Sequence, residues 1–133
     1  MNMNRFLLIV CILLCLAGGS EIHAADSWDY PPSKPDTPFA GGDGSQWNPY
    51  RIDNAQQLAN FSYMVTKKGE NYEGKYFVLT NDITLNDNVL DDSGTKLRDD
   101  VSKYKEWTPI GDRSVWDYGI FKGIFDGQGH TIR

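Results

Sequence analysis

The longest apolar run lies near the start of the chain and predicts a secretory signal peptide. Residues 6–17 are twelve consecutive apolar residues that follow a single positive charge at Arg5. A bilayer span needs about twenty apolar residues, so this run is too short to cross a membrane. The small residue Ala24 then supplies a cleavage site, and we expect residues 1–24 to be removed. The exported chain is expected in the periplasm, at the cell surface or outside the cell.

Periodic apolar positions predict one amphipathic helix over residues 53–68. At about 100° per residue, the apolar arc and the polar arc separate cleanly. The first arc holds Ala55, Leu58, Ala59, Phe61, Ser62 and Val65, and the second holds Gln56, Gln57, Asn60 and Lys67. Asp53 and Gln56 are spaced as a capping box, and Gly69 provides the stop. A helix with one apolar face must cover another element, and strand-like segments surround this one.

Alternating apolar residues predict short β-strands before and after the helix. A strand is expected at residues 48–52, and two more at residues 75–80 and 82–85. The odd-numbered apolar residues of the last two strands should share one side. These residues are Phe77, Leu79, Ile83 and Leu85. Glycines at positions 119, 123, 127 and 129 then alternate with apolar residues, which indicates short strands bent at fixed corners.

Two segments are interpreted as irregular. Residues 25–38 contain four prolines, which offer few backbone donors to a sheet, so this segment is expected to be an extended linker. The domain then covers residues 39–133. Residues 86–106 are polar and acidic and are expected to form a mobile surface loop. That loop also concentrates oxygen ligands, but an EF-hand spacing fails, so calcium binding is the weaker interpretation beside a solvated acidic loop.

Charge and composition exclude several kinds of chemistry. The net charge of −5 argues against a nucleic-acid partner, because phosphate binding needs a basic face. Both cysteines, Cys11 and Cys15, lie in the expected signal peptide, so no thiol chemistry, cofactor or disulfide is expected afterwards. His130 is then the one remaining histidine, which leaves no histidine pair for a metal. A polar cap on a corner is its favoured role.

The sequence offers carboxylates for a catalytic pair, but its turn chemistry argues against that role. Asp112, Asp117 and Asp126 could supply the two acids of sugar hydrolysis. Asp126, however, precedes Gly127 in a turn sequence, where its side chain bonds nearby amides. We therefore expect no catalytic residue. Trp116 and Tyr118 are the candidate ligand-binding residues, because aromatic rings in a polar loop suit stacking on sugars or protein surfaces. Packing of both rings over the helix is the favoured alternative, because large aromatic side chains are readily buried.

Six motifs occur in one order across residues 41–132. They are GDGS at 42–45, NPYRI at 48–52, QLA at 57–59, YEGKYFVLTNDI at 72–83, WTPIG at 107–111 and FKGIFDGQGHTI at 121–132. As a set they resemble the start of a GLUG-motif region. Such regions are found in exported proteins of Bacteroides-like gut bacteria, in some bacterial adhesins and in IgA-peptidase precursors. Ile124, Gln128 and the long 86–106 loop depart from the usual pattern.

The resemblance implies a mainly β fold, the start of a right-handed parallel β-helix capped by one amphipathic helix. Family members continue into further coils, so we expect the chain to be truncated. Its uncovered C-terminal edge, with Phe125 and Ile132, is then expected to self-associate. Trp107, Phe121 and Phe125 should fill the coil interior.

Three functions remain open from the sequence. The first is an exported, noncatalytic module for adhesion to glycans or extracellular host proteins. The second is the N-terminal portion of a larger carbohydrate-active enzyme or peptidase precursor whose active site lies downstream. The third is a short product that acts only as an assembly unit.

Overall fold

The computed structural model describes residues 26–34, 39–87, 89–100, 102–111 and 119–133. Its regular elements in chain order are β1 (Tyr50–Ile52), α1 (Ala55–Lys68), β2 (Tyr76–Leu79) and β3 (Ile124–Asp126). The expected signal peptide at 1–24 lies outside the described residues.

The three strands form one parallel sheet in the order β1-β2-β3. Tyr50 lies opposite Phe77, and Phe77 lies opposite Phe125, so equivalent aromatic positions stack from level to level. Parallel neighbours need a long crossover between them, and here α1 and the 86–106 loop lie in the two crossovers.

A further parallel contact joins the segment after β2 to the segment after β3. Ile83 pairs with Ile132 in a parallel bridge, and the Ile83 amide donates to the Thr131 carbonyl at 2.9 Å. On the opposite side, the Asp26 amide donates to the Thr84 carbonyl at 2.9 Å. The segments after β2 and β3 are thus stacked in parallel at a second place beside the sheet. The right-handed β-helix itself stays a prediction.

The helix begins one residue later than the predicted capping box. Asn54 is the N-cap, and its side-chain oxygen accepts the Gln57 amide at 3.0 Å. The Gln57 side chain in turn accepts the Asp53 amide at 2.9 Å, so the reciprocal pair uses Gln57 and not Gln56. The predicted box at Asp53 and Gln56 was therefore wrong by one position. Gly69 ends the helix in the left-handed conformation, with φ of 74°, as predicted.

The predicted apolar face of α1 is confirmed, since all six of its residues are buried. Phe61 is at its centre, stacked on Phe77 at a centroid distance of 4.6 Å and parallel to Phe125 at 6.1 Å. The buried Ser62 hydroxyl donates to the Thr108 carbonyl at 2.7 Å, which satisfies its polar group inside the core. Through Phe61 the helix therefore packs on the inward rings of both β2 and β3.

The prediction that the odd-numbered apolar residues of the strand segments share one buried side is also confirmed. Phe77, Leu79, Ile83 and Leu85 are all buried. Their alternation with more exposed neighbours is the two-residue period of extended chain.

Asn60 was predicted on the polar arc of the helix, and this prediction was wrong because Asn60 is buried. Its side-chain oxygen accepts a hydrogen bond from Gln56 Nε2 at 2.9 Å.

Residues 26–34 pack on the domain, which differs from the expected linker over 25–38. Trp28 is only 1% exposed, and its indole N–H donates to the Leu85 carbonyl at 2.9 Å. Its ring meets Trp107 edge to face at 5.8 Å. The Asp29 amide bonds to the Gln56 side chain at 2.8 Å and ties this segment to α1. The burial of this large aromatic side chain, whose indole N–H has a partner, holds the segment on the domain. The prolines disfavour strand pairing but do not prevent this packing.

The two edges of the sheet differ. The outer side of β1 is covered, because the Ala40 amide donates to the Arg51 carbonyl at 2.8 Å and the Arg51 amide donates to the Gly41 carbonyl at 3.0 Å. Among the described residues, no strand pairs with the outer side of β3. Within the described ranges, none of the helical structure has the length and apolar character that crossing a bilayer requires.

Candidate functional site

The sequence-predicted binding residues, Trp116 and Tyr118, lie outside the described residues. Asp112 and Asp117, two of the three acids that could supply a pair for sugar hydrolysis, also lie outside the described residues. The functional surfaces of the described chain are therefore built from other residues.

His130 lies at a corner, where it supports a turn. Asp82 accepts the Thr131 amide at 3.0 Å, and its carboxylate lies 3.1 Å from His130 Nδ1. The backbone hydrogen bond from Thr131 is the main cause of a lowered pKa for Asp82, and the bond to His130 adds to it. This arrangement joins the corner after β2 to the corner after β3.

Asp126 occupies the turn that its sequence predicted. Its carboxylate accepts the Gln128 amide at 2.9 Å, and its other oxygen accepts from the Gln128 side chain. Gln128 itself has a positive φ of 51°, which this local hydrogen bonding supports. The carboxylate is thus committed to the turn that follows β3.

The 86–106 loop is organised by its own acidic side chains. Asp91 accepts the Ser93 amide at 3.1 Å, and Asp100 accepts the Ser102 amide at 3.2 Å. Hydrogen bonds from these serine side chains are the main causes of the lowered pKa of each carboxyl. Leu90 and Leu97 pair in an antiparallel bridge. No trio of histidine or acidic side chains suited to a metal ion occurs within the described part of the chain.

An apolar cleft opens beside β3, at the uncovered end of the sheet. Its volume is about 600 Å³, and α1, the 86–106 loop and the last residues line it. The lining includes Leu58, Phe61, Trp107, Ile110, Phe125 and Ile132. Ile132 is 44% exposed although it stacks on buried Ile83. The cleft therefore presents the interior of the stack to solvent.

A second exposed apolar group lies on residues 41–49, called here the Trp47 loop. The Trp47 side chain is 91% exposed, the highest value for a large hydrophobic residue among those the structure describes. The sequence pattern indicates a Gly-rich turn at this position, and Trp47 was not among the predicted binding residues. The sequence does contain a signal for a binding role. Trp47 lies among polar turn residues, which is the pattern that made Trp116 a candidate.

Hydrogen bonds hold the Trp47 loop in one shape. The Asp43 and Gly44 amides both donate to the Asn48 carbonyl, at 3.0 and 3.1 Å. Asp43 also accepts the Ser45 amide at 2.8 Å and the Asn48 side-chain amide at 3.2 Å. Bonding to Ser45 is the main cause of the lowered pKa of Asp43, so its carboxylate stays ionised in mild acid.

The base of the Trp47 loop is fixed to the sheet. Gly44 accepts the Tyr76 amide at 3.0 Å, and the Asp43 carbonyl accepts from Lys75 Nζ at 3.1 Å. Gly42 has a φ of +93°, and a Cβ there would lie 2.0 Å from the Pro49 carbonyl oxygen. Only glycine permits this close approach of the two arms. The loop is therefore a rigid support for one exposed indole.

Comparison with known proteins gives one curated relative and no family assignment. No family model matches the chain. A protein of Evansella cellulosilytica named "Putative Gly-rich membrane protein" is 35% identical over 96 residues, which are 71% of this chain. The chain spans 8% of that relative's length. No solved structure matches.

Proposed function

We propose that this chain is the helix-capped start of an exported, noncatalytic β-helix that binds glycans or host proteins at a surface. The observation that carries the proposal is the exposed indole of Trp47 on a loop fixed to β2. A rigid aromatic ring offers a large contact area and loses little side-chain entropy on binding. The resemblance to GLUG-motif adhesins supports the same role.

The use of the described acidic residues favours binding over catalysis. Asp43, Asp82, Asp91, Asp100 and Asp126 each accept a backbone amide in a turn or a corner. A catalytic carboxylate pair instead needs one acid held protonated, which a raised pKa provides. Hydrogen bonds lower the pKa of Asp43, Asp82, Asp91 and Asp100, which is the opposite direction. These acids are therefore assigned to holding loops in shape.

The test is a binding measurement with the purified chain on immobilised mucin and on mucin stripped of its glycans. We expect saturable binding to at least one surface and no release of reducing sugar or peptide. The proposal fails if neither surface binds the chain. It also fails if turnover appears and is abolished by Asp126→Asn or His130→Ala.

A second candidate function, assembly, is favoured by the uncovered edge at β3. The apolar cleft exposes Ile132, and the outer side of β3 has no strand partner among the described residues. Unpaired strand edges beside apolar surface are templates for pairing with another chain. A further parallel segment, or a second copy, would cover both features at once.

Sedimentation over a range of protein concentrations tests assembly. We expect the mean mass to rise with concentration, and Ile132→Ser to reduce that rise. Ile124→Ser is the matched control, because Ile124 is also exposed but alternates with the inward Phe125 and so faces away from the cleft. A concentration-independent monomer contradicts assembly, and so does an equal effect of the two variants.

A further inference from the structure

We propose that Trp47 is the stacking platform of a subsite for one neutral hexopyranose ring within a larger glycan. This inference rests on the proposed binding function and names the ligand class for the Trp47 loop. The sugar packs its flat C–H face on the indole, and the polar groups of the same loop bond to its hydroxyls.

Hydrogen bonds within the Trp47 loop hold the support for the ring in place. Asp43 and Asn48 join the two arms of the loop through backbone and side-chain hydrogen bonds. Gly44 accepts an amide from β2, which fixes the loop to the sheet. Trp47 makes no ring contact, hydrogen bond or cation contact with the described residues. The indole face is therefore open to a ligand, and the loop beneath it is held by hydrogen bonds, so binding needs little rearrangement.

The size of the apolar surface favours a sugar over a protein. A tryptophan supplies about 150–250 Å² of contact area, whereas a stable protein interface needs about 800 Å² from each partner. The neighbours on the loop, Ser45, Gln46 and Asn48, are all polar and exposed. One ring surrounded by hydrogen-bonding groups matches a pyranose, which has an apolar face and a rim of hydroxyls.

Charge favours a neutral sugar over an acidic one. The ionised Asp43 lies in the same loop, and the chain has a net charge of −5. Two cations reach the loop, and both already donate to it. Lys75 bonds to the Asp43 carbonyl at 3.1 Å, and Arg51 bonds to the Asn48 side-chain oxygen at 3.4 Å. A uronate or sialate would therefore meet the Asp43 carboxylate on this loop, whereas a neutral sugar would not be repelled by it.

The test uses saturation-transfer NMR with the purified chain and four oligosaccharide probes. Cellohexaose, maltohexaose and a β-1,4-galactan oligomer are neutral, and tri-galacturonic acid is the acidic comparison. We expect at least one neutral probe to receive saturation at its ring C–H protons. Trp47→Ala should weaken that binding about tenfold or more, and Trp47→Phe should retain part of it because a smaller ring still stacks.

Leu97→Ala is the matched control, since Leu97 is 65% exposed on a different loop and should leave binding unchanged. The inference is overturned if no neutral probe binds, if the acidic probe binds best, or if Trp47→Ala binds as well as the original chain. Glycan binding that survives Trp47→Ala leaves the proposed function standing and removes this subsite alone. Binding to stripped mucin that depends on Trp47 would assign the ring to a protein partner and overturn the inference.

Discussion

Replacing Phe61 with alanine should remove the contact that joins the helix to the sheet. Phe61 is fully buried and lies against Phe77 and Phe125, which stand on successive strands. It also meets Phe39 at 6.0 Å and Phe121 at 5.3 Å, both edge to face. The Phe61→Ala variant therefore opens a cavity at the centre of the aromatic cluster.

The expected loss follows from the area that Phe61 buries. A buried phenylalanine removes roughly 150–250 Å² from water, which at about 25 cal/mol per Å² corresponds to roughly 4–6 kcal/mol as an upper estimate. Measured Phe→Ala changes in cores cost about 3–5 kcal/mol. We therefore expect a loss of about 3–5 kcal/mol, a large part of the stability of a small domain.

Urea denaturation followed by circular dichroism measures this loss. Phe61→Leu should cost about 1–2 kcal/mol, and it keeps the measurement usable if the alanine variant does not fold. Lys67→Ala, on the exposed side of α1, should change the free energy of unfolding by about 0.5 kcal/mol or less. A loss below about 1 kcal/mol for Phe61→Ala would refute the packing of α1 on the sheet.

Three further predictions concern caps, turns and pH. Asn54→Ala should lower the free energy of unfolding by about 1 kcal/mol and Asp53→Ala by less, and equal losses in urea denaturation would contradict the cap position. Gly42→Ala should cost about 2–3 kcal/mol, because a Cβ there meets backbone at 2.0 Å, whereas Gly94→Ala, with open space around it, should cost about 1 kcal/mol. Because the pKa of Asp82 is lowered in the folded chain, its stabilising contribution is present above its unfolded pKa, near 4, and is lost as the pH falls through the folded value. Asp82→Asn should therefore reduce the acid dependence of stability between about pH 2 and 5, and an unchanged dependence would contradict the role of this corner.

The parts of the fold that depend on burial alone were predictable from the sequence. The apolar arc of α1 follows from helical periodicity, and the inward residues Phe77 and Leu79 follow from strand alternation. Both patterns exist because one side of each element faces the core. Asp126 was also predictable, since an Asp-Gly pair forms its turn from local hydrogen bonds.

Features set by tertiary contacts were not predictable in the same way. Asp53 and Asn54 are both good N-caps, and only the packing of the helix decides between them. Trp28 precedes a proline-rich stretch, but distant partners bury its ring. Asn60 is buried by the same segment. Trp47 was missed because its exposure depends on the shape of its loop, which local sequence does not specify.

The two edges of the sheet differ in whether they can pair with a strand of another copy of this chain. Ala40 and Gly41 occupy the outer side of β1, so among the described residues β3 is the strand edge left for pairing with another copy. Two copies that meet there present the same patch to each other and are related by a twofold axis. If copies assemble in this way, each would block the β3 edge of the other. Growth along the sheet would then stop at two chains, whereas a sheet open at both edges would extend into a fibre.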